Sequence, residues 1–129
     1  MAYKSTITKV SGELNKIEAV ALKNLTDVEG IEVLVNESID GYAVIHPEKY
    51  VVLHVENDRD KENKEYDVLV ICDYDGTKYK TGSESFMRSF FDIFDELEDE
   101  TGWGLKVFGK ESKNYKGKKF LTCSVVYEV

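Results

Sequence analysis

The chain has 129 residues, 42% of them hydrophobic, two cysteines and a formal charge of −8, which suits one hydrophobic core and falls short of two. No stretch approaches the roughly 18 consecutive apolar residues of a membrane span, and the N-terminus lacks the apolar run of a secretory leader, so a cytoplasmic protein with no membrane partner is expected. A uniformly acidic surface repels phosphate and excludes a generic polyanion binder, but this charge is uneven: residues 1–102 hold 11 Lys or Arg against 23 Asp or Glu, and residues 103–129 hold 6 Lys against 2 Glu.

In chain order, Tyr3 to Val10 has strand composition, and Ser11-Gly12 breaks it. From Glu13 to Leu25 the apolar positions Leu14, Ile17, Val20, Ala21 and Leu25 recur at helical spacing, with Ile17 to Leu22 also readable as a strand. Ile31 to Val35 reads as a short strand after Gly30. Tyr50 to Val55 is rich in β-branched and aromatic residues, and the charged run Glu56 to Glu65 predicts an exposed loop. Tyr66 to Cys72 is apolar on both faces, as a central strand should be. Asp73-Tyr74-Asp75-Gly76 then turns the chain into the alternating strand Thr77 to Thr81.

Gly82-Ser83-Glu84-Ser85 opens the clearest helix, with serines to cap free amides. Phe86, Phe90, Ile93 and Leu97, widened by Met87 and Phe94, form its apolar stripe. Asp92, Asp95, Glu96, Asp99 and Glu100 occupy the other side, and Gly102 ends it. Leu105 to Phe108 resumes as a strand, Gly109 to Lys119 is a lysine-rich loop, and Phe120 to Tyr127 is a last strand with Leu121, Cys123, Val125 and Tyr127 on one side. The order from about residue 48 is that of a mainly β, α+β fold: a five-stranded OB-like Greek-key barrel with one long amphipathic helix between its third and fourth strands. Residues 1–47 are an N-terminal elaboration on it, within a single domain spanning residues 1–129.

Two clusters carry candidate chemistry. Aromatic and lysine residues interleave around two hairpins: Tyr74, Lys78, Tyr79 and Lys80 at the first, and Trp103, Lys106, Phe108, Lys110, Lys113, Tyr115, Lys116, Lys118, Lys119 and Phe120 at the second. Single-stranded nucleic acid needs this combination, because bases stack on aromatic faces while lysines neutralise phosphate. Phe108 is assigned to the core, and Tyr115, with no apolar neighbour, to the surface. The nucleic-acid set is therefore Tyr74, Lys78, Tyr79, Lys80, Trp103, Lys113, Tyr115, Lys116 and Lys118. The second cluster, Asp95, Glu96, Glu98, Asp99 and Glu100, is the solvated face of a helix or a phosphate mimic that occupies a basic groove on another protein.

Catalytic signals are thin. His46 and His54 have no nucleophile in a recognisable setting, no glycine-rich phosphate loop occurs, and Asp73 and Asp75 lack the later ligands of a calcium loop. Cys72 and Cys123 sit in apolar runs as buried, reduced thiols, and two scattered His and two Cys do not make a zinc motif. A non-enzymatic protein without cofactor or metal is expected.

The stretch Tyr66 to Val126 resembles small single-stranded-DNA-binding proteins of phages and mobile elements of low-GC Gram-positive bacteria. The likeness rests on Asp75-Gly76-Thr77-Lys78-Tyr79-Lys80-Thr81 running into a serine-rich helix start and an aromatic helix, and on Lys116-Gly117-Lys118-Lys119-Phe120-Leu121-Thr122-Cys123. It implies an OB barrel in a bacterial host cell that coats displaced single strands during replication or recombination, often as a homo-oligomer. Such proteins often end in an acidic tail that recruits partners, whereas this sequence closes on strand-like Tyr127-Glu128-Val129. The competing reading is a small acidic phage inhibitor of a host replication or defence protein.

Overall fold

A computed structural model describes residues 3–11, 17, 28–57, 65–97, 99–111 and 119–127. Its elements run β1 (Tyr3–Val10), β2 (Glu29–Gly30), α1 (Ile31–Glu37), β3 (Tyr42–Ile45), β4 (Pro47–Asn57), β5 (Glu65–Asp73), β6 (Lys78–Thr81), α2 (Glu84–Leu97), β7 (Trp103–Glu111) and β8 (Lys119–Tyr127). They build a five-stranded sheet in the order β1-β4-β5-β6-β2 and a three-stranded sheet in the order β3-β7-β8. Every pairing is antiparallel except β2 with β6.

The expected succession of three strands, a helix and two strands is present from Pro47 to Tyr127, and the fold is mainly β, of the α+β kind. The described strands do not close into a barrel. Barrel closure needs free edges on the flanking strands, and segments before Pro47 occupy them: β1 pairs along β4, β2 takes the second edge of β6, and β3 takes that of β7.

β4 and β5 bury both faces. Tyr50, Val52, Leu69 and Ile71 look into a core shared with α2 and the smaller sheet, while Val51, Leu53, Val55, Val68, Val70 and Cys72 form a second cluster on the other side with Val28. That two-sided burial is why Val68 to Cys72 reads as a continuous apolar run. Tyr50 anchors the first core, with its ring edge-on to Phe90 and Phe94 at 5.4 and 5.3 Å. Phe86 and Phe90 are fully buried.

Ser83 caps α2, its Oγ accepting the Phe86 amide at 3.2 Å. The helix lies along the edge of β8, where the Ser85 hydroxyl donates to the Leu121 carbonyl at 2.9 Å and so occupies part of an otherwise unpaired strand edge. Ile31 to Val35 is helical, which corrects the strand expected there. Ile31 and Val35, one helical turn apart, are the pair buried in the core, and that packing outweighs the weak strand preference of β-branched residues. Glu32 of the same helix accepts a 2.6 Å hydrogen bond from the buried Thr81 hydroxyl. The helix expected between Glu13 and Leu25 lies, but for Ile17, outside the described residues, as does most of the Glu56 to Glu65 run.

Candidate nucleic-acid interface

The smaller sheet has one face in the core and one facing out. Leu105, Val107, Leu121, Cys123 and Ile45 point inward and are buried. The period of two then directs Tyr42 and Val44 of β3, Lys106, Phe108 and Lys110 of β7, and Phe120, Thr122 and Ser124 of β8 outward. Tyr42, Val44 and Phe120 are 40, 37 and 38% exposed, Lys110 is exposed, and Lys106 and Phe108 are half-buried.

Register sets the geometry of this face. Tyr42 sits opposite Phe108, Phe108 opposite Thr122, Val44 opposite Lys106, and Lys110 opposite Phe120. Directly opposed side chains lie about 4.5 to 5.5 Å apart at Cβ, so the aromatic rings and the lysines form one continuous patch. The Lys106 ammonium stands 4.4 Å from the Tyr42 ring centroid and 5.4 Å from that of Phe108. Phe108, expected in the core, is on this outer face; the correction follows from Leu105 and Val107, whose burial leaves the alternate positions to solvent.

The residues singled out from the sequence do not all converge here. Tyr74 is 66% exposed in the β5–β6 turn and shares a shallow recess with His46, Pro47, Glu100 and Trp103. Trp103 is engaged at both ends: its indole N–H donates to the Leu97 and Glu100 carbonyls, each at 3.1 Å, and its ring meets Phe94 edge-on at 6.4 Å. Glu100 on the rim makes this recess a poor phosphate site. In β6, Tyr79 packs against the first core while Lys78 is exposed and Lys80 half-buried. Lys113, Tyr115, Lys116 and Lys118 lie outside the described residues, in the sequence between Glu111 of β7 and Lys119 of β8.

Asp95, Glu96, Asp99 and Glu100 are exposed, and Glu98 lies outside the described residues. No basic residue accompanies Asp95 and Glu96 in the last turn of α2, where the negative end of the helix dipole disfavours them. Glu96 and Glu100 rim a groove floored by Trp103, Val125 and Tyr127; Val125 and Tyr127 are 50 and 85% exposed, although Leu121 and Cys123 on the same side of β8 are buried.

Sequence reasoning passed over Tyr42 and Val44, which reach the patch only through the pairing of β3 with β7. Among the described residues, no helix is long and apolar enough to cross a membrane. No protein family matches this chain, nor does any curated protein or solved structure.

Proposed function

We propose that this protein binds single-stranded nucleic acid without catalysing a reaction, through the outer face of the three-stranded sheet. The observation that carries the reading is the placement of Lys106 over Tyr42 and Phe108 on an open, aromatic sheet surface, with Lys110 and Phe120 paired beside it. Bases stack on exposed aromatic rings at about 1 to 3 kcal/mol each, and nearby ammonium groups release counterions from the strand. Neither contact reads base identity, so binding is sequence-tolerant. The locally basic composition of residues 103–129 supports the same face and explains how an acidic chain approaches a polyanion: it presents one side.

By the resemblance of Tyr66 to Val126 to small single-stranded-DNA-binding proteins, the ligand is single-stranded DNA exposed during phage or mobile-element replication or recombination in a bacterial cytoplasm, and Lys113, Tyr115, Lys116 and Lys118 extend the site. The succession of three strands, a helix and two strands along the chain accompanies this reading, without barrel closure.

Fluorescence anisotropy of a labelled single-stranded oligonucleotide, with the matching duplex as control, tests it. Salt-sensitive, single-strand-selective binding is the expected result. Absence of binding at low salt refutes the reading.

One observation favours a second reading. The last turn of α2 keeps acidic residues against its own dipole, beside an exposed groove of Trp103, Val125 and Tyr127. An inhibitor that presents Asp95, Glu96, Asp99 and Glu100 to a basic site on a host or phage protein accounts for both features. Reversing three of those charges should then abolish inhibition and leave single-strand binding intact.

A further inference from the structure

On the larger sheet, β4 and β5 place a second constellation remote in kind from the aromatic patch. His54 sits opposite Asp67, and Glu56 opposite Glu65. Within each strand these residues are two apart, so all four side chains share one face, while Leu53 and Val55 turn to the buried side. The His54 imidazole is held at both ends: Nδ1 lies 2.9 Å from Asp67 Oδ1, and Nε2 lies 3.7 Å from Glu65 Oε1. One ligand atom each from His54, Glu56 and Glu65 falls within 4.8 Å of the others.

We propose that His54 Nε2, Glu56 and Glu65 form a binding site for a divalent transition metal of the zinc type, with Asp67 as the group that orients the imidazole. Zinc takes nitrogen and oxygen ligands at about 2.0 to 2.1 Å, so two donors in a tetrahedral shell stand roughly 3.4 Å apart. The Nε2 to Oε1 distance of 3.7 Å already approximates that edge. Three protein ligands leave a fourth position for water.

Asp67 separates this arrangement from a patch of surface carboxylates. Ligating histidines donate their second ring N–H to a carboxylate, which fixes the tautomer and strengthens the donor. Here Asp67 occupies that role on Nδ1, and Nε2 faces Glu65. The nitrogen donor also sets the ion class, because calcium and magnesium prefer all-oxygen shells whereas imidazole with carboxylate suits zinc, nickel or copper. The hydrogen bond to Asp67, followed by the charges of Asp67 and Glu65, holds the His54 pKa above its ordinary value. Linear spacing hides the site, since His54 and Glu56 on one strand meet Glu65 and the orienting Asp67 on the next only through the strand register.

The test is calorimetric titration of the chelator-treated full chain with Zn²⁺ at mildly alkaline pH, with Mg²⁺ as control. One equivalent of Zn²⁺ should bind saturably and Mg²⁺ should not. The metal-ligand variants His54→Ala and Glu65→Gln should each lower affinity at least about tenfold, and Asp67→Asn, which removes only the orienting carboxylate, by about 10- to 100-fold. The side chains of His54, Glu65 and Asp67 are 34, 64 and 58% exposed, so the variants should keep the wild-type circular dichroism. Heteronuclear NMR of the imidazole should place the zinc-induced change at Nε2. No saturable Zn²⁺ binding, unchanged affinity in His54→Ala, or metal on Nδ1 overturns the proposal.

Discussion

Lys106 reaches across from β7 so that its ammonium lies 4.4 Å from the centre of the Tyr42 ring on β3. At an exposed site such a contact is worth about 0.5 to 1 kcal/mol, enough to order the lysine stem over the rings and weak enough to yield to a phosphate. The aromatic surface is thus kept apolar below and cationic above, which is how a base and its phosphate differ chemically.

Truncation of that surface should be costly for binding and cheap for folding. Tyr42→Ala and Phe108→Ala should each weaken single-strand affinity by roughly 5- to 150-fold, corresponding to about 1 to 3 kcal/mol of lost stacking. Lys106→Ala should instead lower the slope of log affinity against log salt by about 0.7, the share of one phosphate contact on a single strand. Anisotropy across a salt series separates the two effects, and equal affinity in all three variants would remove this face from the site.

The parts of the fold that were legible are those whose signal is local. Phe86, Phe90 and Phe94 recur at helical spacing, and Ser83 precedes them as a cap, so α2 was readable with its buried face. Tyr66 to Cys72 announced a central strand, which is buried on both sides from Val68 onward, and Gly76, at φ 91°, announced the turn that follows. What was hidden depends on partners distant in sequence. Nothing in Tyr42 to Ile45 shows that it pairs with β7, and without that pairing Tyr42 is one more surface tyrosine. Nor does Tyr3 to Val10 show that it lies along β4 and thereby closes off one edge that a barrel would use. Phe108 is a different case: alternation with Leu105 and Val107 placed it outside, but its bulk suggested the core. Large aromatics are commonly buried, and here the period of two outweighs the size.

Trp103 provides a test of where the site ends. Trp103→Phe keeps a ring against Phe94 but removes the indole N–H that serves the Leu97 and Glu100 carbonyls after α2. Loss of that donor should lower stability by about 1 kcal/mol, visible as a lower midpoint in thermal unfolding. Single-strand affinity should stay at the wild-type value, because the indole is committed to the helix end and bordered by Glu100. A marked loss of binding in a folded Trp103→Phe variant would move the interface toward the Tyr74 recess.

Thiol chemistry should report on the intact core. Cys72 and Cys123 are both buried and neither is in a disulfide, and burial pushes the Cys123 thiol up to about 12 from 9.0. The reactive species is the thiolate, so a pKa raised this far makes alkylation of Cys123 roughly a thousandfold slower near neutral pH, before the barrier to access is added. Iodoacetamide labelling followed by peptide mass spectrometry should leave Cys123 unmodified in the native chain and label it fully in denaturant. Rapid native labelling would mean that β8 separates from the core on the labelling timescale.

The β5–β6 turn is organised by two aspartates with separable duties. Asp73 is buried, and its carboxylate accepts the His46 amide at 2.8 Å and the Asp75 amide at 3.0 Å, tying the β3–β4 junction to the turn. Asp73→Ala leaves both amides without that acceptor and should destabilise the fold by about 2 to 4 kcal/mol in urea unfolding. Asp75 is exposed, and its carboxylate accepts the Thr77 amide at 2.8 Å; that bond lowers its pKa below the ordinary carboxylate value. A carboxyl whose folded pKa is depressed contributes stability above its unfolded pKa, near 3.9, and loses it as pH falls through the lower folded value. Asp75→Asn has no such titration, so its stability should decline less steeply than that of the wild type below about pH 4. Parallel acid limbs for the two proteins would show that the Thr77 contact does not distinguish the charged carboxylate from the neutral one.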